Sequence, residues 1–138
     1  MNGPNTGEAG AARVLLADDD AVNRRIGMKV LKNLGFAPEC AENGAQAVAM
    51  HGAKPYEAIL MDCHMPEVDG YAATALIREA EQGSSEHVVI IAMTANALSG
   101  EQEKCLAAGM DDFLTKPMRP ELVRQKLSEW LARKGMSR

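Results

Sequence analysis

No stretch of this chain is apolar for the length of a bilayer crossing, which excludes a membrane-spanning helix from its sequence. No basic region leads into an apolar one near the amino terminus, so a secretory signal is not apparent. Basic residues are not in excess. Fifteen Lys and Arg stand against 19 Asp and Glu, a net charge of −4 that argues against direct nucleic-acid binding. Cysteine is scarce: Cys40, Cys63 and Cys105 are scattered, odd in number and outside any metal-ligand spacing. Free thiols in a reducing cytoplasm are the expectation. There is no internal repeat. The 138 residues, 46% hydrophobic and 25% charged, fit one globular domain able to bury its own core.

Residues 1–11 (MNGPNTGEAGA) are small, polar and Gly-rich, and predict a disordered lead or linker. Beyond them, strand-like and helix-like segments alternate five times. Arg13 to Ala17 is the first strand, with Asp20 capping the helix that follows. Val22, Ile26, Val30, Leu31 and Leu34 recur at helical spacing until Gly35. Phe36 to Ala41 reads as a weak second strand, and Asn43-Gly44 opens an Ala-rich helix. Pro55-Tyr56 turns the chain into a third strand, Ala58 to Met61. Asp69 caps a third helix carrying Ala72, Ala73, Leu76 and Ile77, broken at Gly83. Val88 to Met93 is the strongest strand. Ser99 with Gln102 fits a capping box for a fourth helix, which Gly109 stops. Asp111 to Thr115 is the fifth strand. Pro120 suits the first turn of a last helix with Val123, Leu127, Trp130 and Leu131 on its buried stripe. Strands apolar almost throughout are buried on both faces, the habit of parallel sheets. Short connections then imply right-handed crossovers and a doubly wound five-stranded α/β domain.

In such a sheet the carboxyl ends of all strands share one edge, where open α/β domains do their chemistry. Asp18, Asp19, Asp62, Thr94 and Lys116 meet there. Taken singly, an Asp after a strand is usually a turn or cap residue, and Lys116-Pro117 is a turn. His64 is either a ligand or acid/base group or a partly exposed loop residue. Together, they suggest a phosphoryl-accepting site. Packed carboxylates repel unless a cation intervenes, and Mg²⁺ (or Mn²⁺) favours such hard oxygen ligands. The backbone carbonyl of His64 is a further candidate ligand. Asp62 is the candidate nucleophile, since a carboxylate can attack phosphorus to give an acyl phosphate. Mg²⁺, the Lys116 ammonium and the Thr94 hydroxyl would each take an equatorial oxygen.

The segments VLLADDDAVNRR, AENGAQAV, ILMDCHMPEVDGY, IIAMTANA and GMDDFLTKPM resemble the receiver domain of two-component response regulators, from about Arg13 to Leu131. MDCHMPEVDG and AMTANA are most similar to receivers of hybrid sensor histidine kinases. The resemblance implies a flavodoxin-like (βα)₅ fold, here over residues 12–134 with a tail at 135–138. It implies that Asp62 takes a phosphoryl group from a phosphohistidine on a histidine kinase or phosphotransfer domain. Asp19 becomes a direct metal ligand and Asp18 one acting largely through water. Thr94 becomes the switch hydroxyl, Phe113 the aromatic switch and Lys116 the phosphate-pairing amine, with a cis bond before Pro117. The switching surface would span Ser99 to Ala108, Asp111 to Thr115 and Arg119 to Arg133. Phe113 lacks the hydroxyl of the Tyr in many relatives. Asp20 stands where hybrid receivers often have Asn, adding an acid near the metal. His64 and Asn96 lie where relatives tune acyl-phosphate hydrolysis.

The expectation is therefore a cytoplasmic phosphorelay module, without membrane contact of its own but tethered to a membrane sensor where the parent kinase is one. A weak homodimer is compatible with it. A stand-alone regulator is the alternative. An aspartyl phosphatase would usually need a second acid where His64 stands. A flavin module would need a hydroxyl- and Gly-rich loop where Asp18-Asp19-Asp20 stand, and a docking-only pseudo-receiver would not need the full acid, hydroxyl and lysine set.

Overall fold

The computed structural model describes residues 11–95 and 100–136. Five strands and five helices alternate: β1 (Arg13–Ala17), α1 (Ala21–Asn33), β2 (Ala37–Ala41), α2 (Gly44–Ala53), β3 (Ala58–Asp62), α3 (Gly70–Glu81), β4 (Val89–Thr94), α4 (Glu101–Ala108), β5 (Asp112–Thr115) and α5 (Pro120–Met136). All strands are parallel in one sheet of order β2-β1-β3-β4-β5. This is the flavodoxin-like (βα)₅ architecture the sequence implied.

Alternation of side chains along each strand divides the core in two. Leu15, Ile59, Met61, Ile90 and Ala92 meet Ala47 of α2, Ala73 and Ile77 of α3 and Cys105 of α4 on one face. Val14, Leu16, Leu60, Ile91 and Met93 meet Leu31 of α1 and Val123 and Leu127 of α5 on the other. Each fully buried Leu, Ile or Val contributes about 1.5–3 kcal/mol against exposure. β3 and β4 are buried along their whole length, as their unbroken apolar runs require.

The helix starts follow the caps. Asp20 accepts from the amides of Val22 and Asn23, Asn43 from Gln46 and Asp69 from Ala72. Gly35, Gly83 and Gly109 take positive φ just beyond α1, α3 and α4.

Some boundaries differ from expectation. Phe36 precedes β2, whose first residue is Ala37, and β4 is shifted one residue, to Val89–Thr94. Asp111 precedes β5 because its carboxylate serves the Ile90 amide and Arg78 instead. Gly100 holds the cap position of α4, with no side-chain cap bond, so the expected capping box does not open the helix. Ser99 itself lies outside the described residues. Val22 and Ile26 do not join the buried side of α1. They are 59% and 51% exposed, because Gly27 and Leu31 are the residues of that helix against the sheet. Residues 1–10 of the expected lead lie outside the described residues, while Ala11 is buried. α5 runs on through Gly135 and Met136 into the expected tail. Among the described residues, no helix is long and apolar enough to cross a membrane.

Candidate phosphoryl-acceptor site

Chain order reverses between β1 and β3, with β2 lying on one side and β4 and β5 on the other. The crevice beyond the carboxyl ends of strands at such a switch point is the natural ligand site of an open α/β sheet. Asp18 follows β1, Asp62 ends β3, Thr94 ends β4 and Lys116 follows β5. All four sequence-predicted positions therefore reach one edge.

Asp18 is held from several sides. Its amide donates to the Ala41 carbonyl at 3.1 Å, its Oδ1 accepts from the Asp20 amide at 2.9 Å, and its carbonyl accepts from Arg24 Nη1 at 2.8 Å. Asp62 accepts from the His64 amide on Oδ1 at 3.1 Å. Its Oδ2 lies 3.1 Å from Lys116 Nζ, which is also 3.6 Å from Asp18 Oδ2. Carboxylate oxygens of Asp18, Asp19 and Asp62 all lie within 4.8 Å of one another. Asp18 and Asp62 are buried and Asp19 is exposed at the mouth. Three carboxylates this close suit a hard divalent cation, and the donor set fits Mg²⁺. Asp20 does not belong to this acid group, because its carboxylate caps α1.

Burial pushes the Asp62 carboxyl up, against the His64 amide and Lys116, which pull it down; Asp18 adds a further push upward. Burial also works against the Lys116 ammonium, but Asp62 and then Asp18 outweigh it and hold this group above its ordinary value. The two shifts share a direction for different reasons. Asp62 is almost wholly enclosed, so desolvation wins, whereas the partly exposed Lys116 keeps its charge.

Thr94 is buried, and its carbonyl accepts from the Lys116 amide at 2.8 Å, which ties the two strand ends together. The Lys116-Pro117 bond is cis, as the resemblance implied. Phe113 is half-buried against the α2, α3 and α4 side of the core, with Lys126 Nζ 5.5 Å from its ring centre. His64 is an exposed loop histidine. Its ring lies 3.7 Å from Glu101 of α4 and edge-on to Tyr71 at 6.1 Å. Asn96 lies outside the described residues.

Three contributors escaped the sequence reading. Arg24 braces the Asp18 backbone from six residues away, and no periodicity marks it. Gly44 and Gly70 accept close backbone approach from Val68 and Asp62 respectively. Their position in turn-like segments was the available signal, but the contacts are between distant residues.

Residues 14–128 match the response regulator receiver domain family. Hybrid signal transduction histidine kinase B of Dictyostelium discoideum is 43% identical over 116 residues, covering 78% of this chain and 6% of that protein. The chain thus spans a small part of such curated relatives. The receiver domain of sensor histidine kinase PA1611 from Pseudomonas aeruginosa was solved with a magnesium ion coordinated in its active site cleft. It is 41% identical, with a TM-score of 0.80 over 88% of this chain and 98% of that one. The Saccharomyces cerevisiae Ssk1 receiver domain, solved in complex with the histidine phosphotransfer protein Ypd1, is 28% identical. Its TM-score is 0.83 over 90% of this chain and 91% of the matched one. Matched by the family model over residues 14–128 and 43% identical to one such kinase over 116 residues, the chain belongs to the response regulator receiver domain family.

Proposed function

We propose that this chain is the phosphoacceptor module of a hybrid histidine kinase and that Asp62 receives the phosphoryl group. The observation that carries the assignment is the Lys116 ammonium 3.1 Å from Asp62 Oδ2, beside the three-carboxylate group. An Asp62 carboxylate oxygen attacks the phosphorus of a phosphohistidine. The P–N bond breaks, its electron pair stays on the imidazole nitrogen, and an acyl phosphate forms. In this reading Lys116 exchanges its Asp62 contact for a phosphoryl oxygen, and the Thr94 hydroxyl pairs another. Asp18, Asp19, Asp62 and the His64 carbonyl would hold Mg²⁺ or Mn²⁺, which supplies neutralising charge. The Thr94 contact and a turn of Phe113 would then bias α4, β5 and α5 toward a second packing, as a population shift.

Support for a helical phosphodonor comes from α1. Val22 and Ile26 are exposed on it, Ile26 shares a pocket with Asp18 and Lys116, and its charged residues are Arg24, Arg25, Lys29 and Lys32, with no acid among them. A pocket of about 90 Å³ lined by Asp18, Asn23, Ile26, Lys116, Pro117 and Met118 continues this apolar strip. It suits an apolar side chain of an acidic helical partner such as a phosphotransfer or kinase domain. The proposed setting is cytoplasmic.

The test is intact mass after incubation with Mg²⁺ and a small acyl-phosphate donor, with Asp62→Asn alongside. One phosphoryl adduct that needs Mg²⁺ and is lost in the variant is expected. No adduct, together with no beryllofluoride binding, would overturn the assignment.

A further inference from the structure

Cys63 follows Asp62 directly, and its sulfur lies 3.9 Å from that of Cys105 on α4. Both thiols are free and buried, at 0% and 1% exposure. Cys40 stands apart on β2, whose face packs with α1 and α5 rather than with this pair. A disulfide requires a separation of about 2.05 Å, so the two sulfurs have to close by about 2 Å. The two ends of the bridge are not equally free to give. The Cys63 amide donates to the Met93 carbonyl at 3.1 Å and its carbonyl accepts from the Gly70 amide at 3.1 Å, so the β3 end is pinned. α4 is eight residues long and opens at Gly100 without a side-chain cap. The helix, not the strand, must yield.

We infer that Cys63 and Cys105 are a modification site, forming a reversible disulfide that ties α4 to the end of β3, with a small peroxide as oxidant. The sulfur of one thiol attacks a peroxide oxygen and the O–O bond breaks, leaving a sulfenic acid and releasing water. The second sulfur then attacks the sulfenic sulfur. The S–S bond forms, the S–O bond breaks, and the hydroxyl leaves with the second thiol's proton as water. Two thiols are oxidised and one peroxide is reduced to two waters. A dithiol reverses the bridge by exchange.

Enclosure determines which reagents can act. Both sulfurs are enclosed, at 0% and 1% exposure, so bulky disulfides cannot reach them. Peroxide is close to water in size. Once a sulfenic acid forms, its partner sulfur is already in contact. Capture is then intramolecular and outruns further oxidation. The bridge does not involve Asp62 chemistry, so it stands or falls apart from the phosphoacceptor reading.

The experiment treats the full chain with hydrogen peroxide, alkylates remaining thiols under denaturing conditions and maps peptides by mass. Amide hydrogen exchange is then compared between oxidised and reduced chains. The expected result is a cross-linked Cys63–Cys105 peptide, two hydrogens lighter than the reduced pair and reversed by dithiothreitol. It should form in Cys40→Ala and be lost in both Cys105→Ala and Cys63→Ala. Exchange of the α4 amides should slow several-fold on oxidation. Free, fully alkylated Cys63 and Cys105 under peroxide that oxidises exposed methionine would overturn the proposal. So would a bridge through Cys40, or a bridge that leaves α4 exchange unchanged.

Discussion

Gly70 touches the backbone of Asp62 so closely that a Cβ on it would stand 2.2 Å from the Asp62 carbonyl oxygen. The loop leaving β3 thus returns to the strand it left, and the Gly70 amide closes it on the Cys63 carbonyl at 3.1 Å. Glu67 within the loop takes a positive φ of 67°, a conformation that side chains rarely adopt. Gly70→Ala is expected to cost about 1–3 kcal/mol in urea denaturation and to slow acyl-phosphate formation, because the backbone beneath the nucleophile must shift. Gly52→Ala on α2 is the control. Nothing lies within 4 Å of the added carbon, and helix propensity predicts a gain of about 0.5–1 kcal/mol.

Asp62 must be ionised to attack phosphorus, and burial raises its carboxyl above the ordinary range. The rate of adduct formation should therefore rise with pH through that raised value and level off above it. Lys116→Ala removes the cation that opposes the shift. The acid limb is expected to move to higher pH, and the plateau rate to fall on the order of 100-fold. Initial rates with a small acyl-phosphate donor across acid to neutral pH provide the check.

Three carboxylates within 4.8 Å repel one another, so a bound divalent cation should stabilise the fold. At a concentration 100 times its Kd the gain is about 2.7 kcal/mol. A rise in Tm with added Mg²⁺, reversed by a chelator and weakened in Asp19→Asn, is the expected signature.

Asp112 anchors α5 to β5. It accepts from Trp130 Nε1 at 2.9 Å and pairs with Lys126 Nζ at 3.0 Å. Burial alone would raise its carboxyl, but Trp130, Lys126 and the Phe113 amide outweigh burial and hold it below the usual range. A depressed carboxyl stabilises the fold above its unfolded pKa of about 3.9, and that contribution is lost as pH falls through the folded value. Asp112→Asn should cost about 1–2 kcal/mol at neutral pH. The difference from wild type should shrink in acid, as read by denaturation at several pH values.

Ile26 is half-exposed beside the site, so it adds little to stability. Ile26→Asp is expected to leave Tm and phosphorylation from a small donor unchanged. Transfer from a phosphohistidine protein should fall at least about tenfold, the loss of a buried apolar anchor at an interface. Paired stopped-flow measurements with the two donors distinguish docking from chemistry.

Much of this was legible in the chain. The apolar runs 14–17, 58–61 and 88–93 are too uniform for one-sided strands, and parallel pairing follows from that alone. Once the strands are parallel, Asp18, Asp62, Thr94 and Lys116 must share an edge, so the candidate site was readable as well. Local chemistry also marked the caps at Asp20, Asn43 and Asp69, since a short polar side chain acts on amides two or three residues away.

What lay beyond the sequence depends on contacts between distant residues. Periodicity marked Val22 and Ile26 as part of an apolar stripe, but only the packing of Gly27 and Leu31 on the sheet turns them outward. Cys63 and Cys105 are 42 residues apart and become a pair only when the fold brings α4 against the residue that follows β3. The Lys116 ammonium finds both Asp18 and Asp62 for the same reason. Residue type and spacing determined the elements and the chemistry each strand end carries, because those depend on near neighbours. The tertiary structure decided which faces are covered, which carboxyl is driven up and which sulfurs touch, because burial and charge coupling act through space.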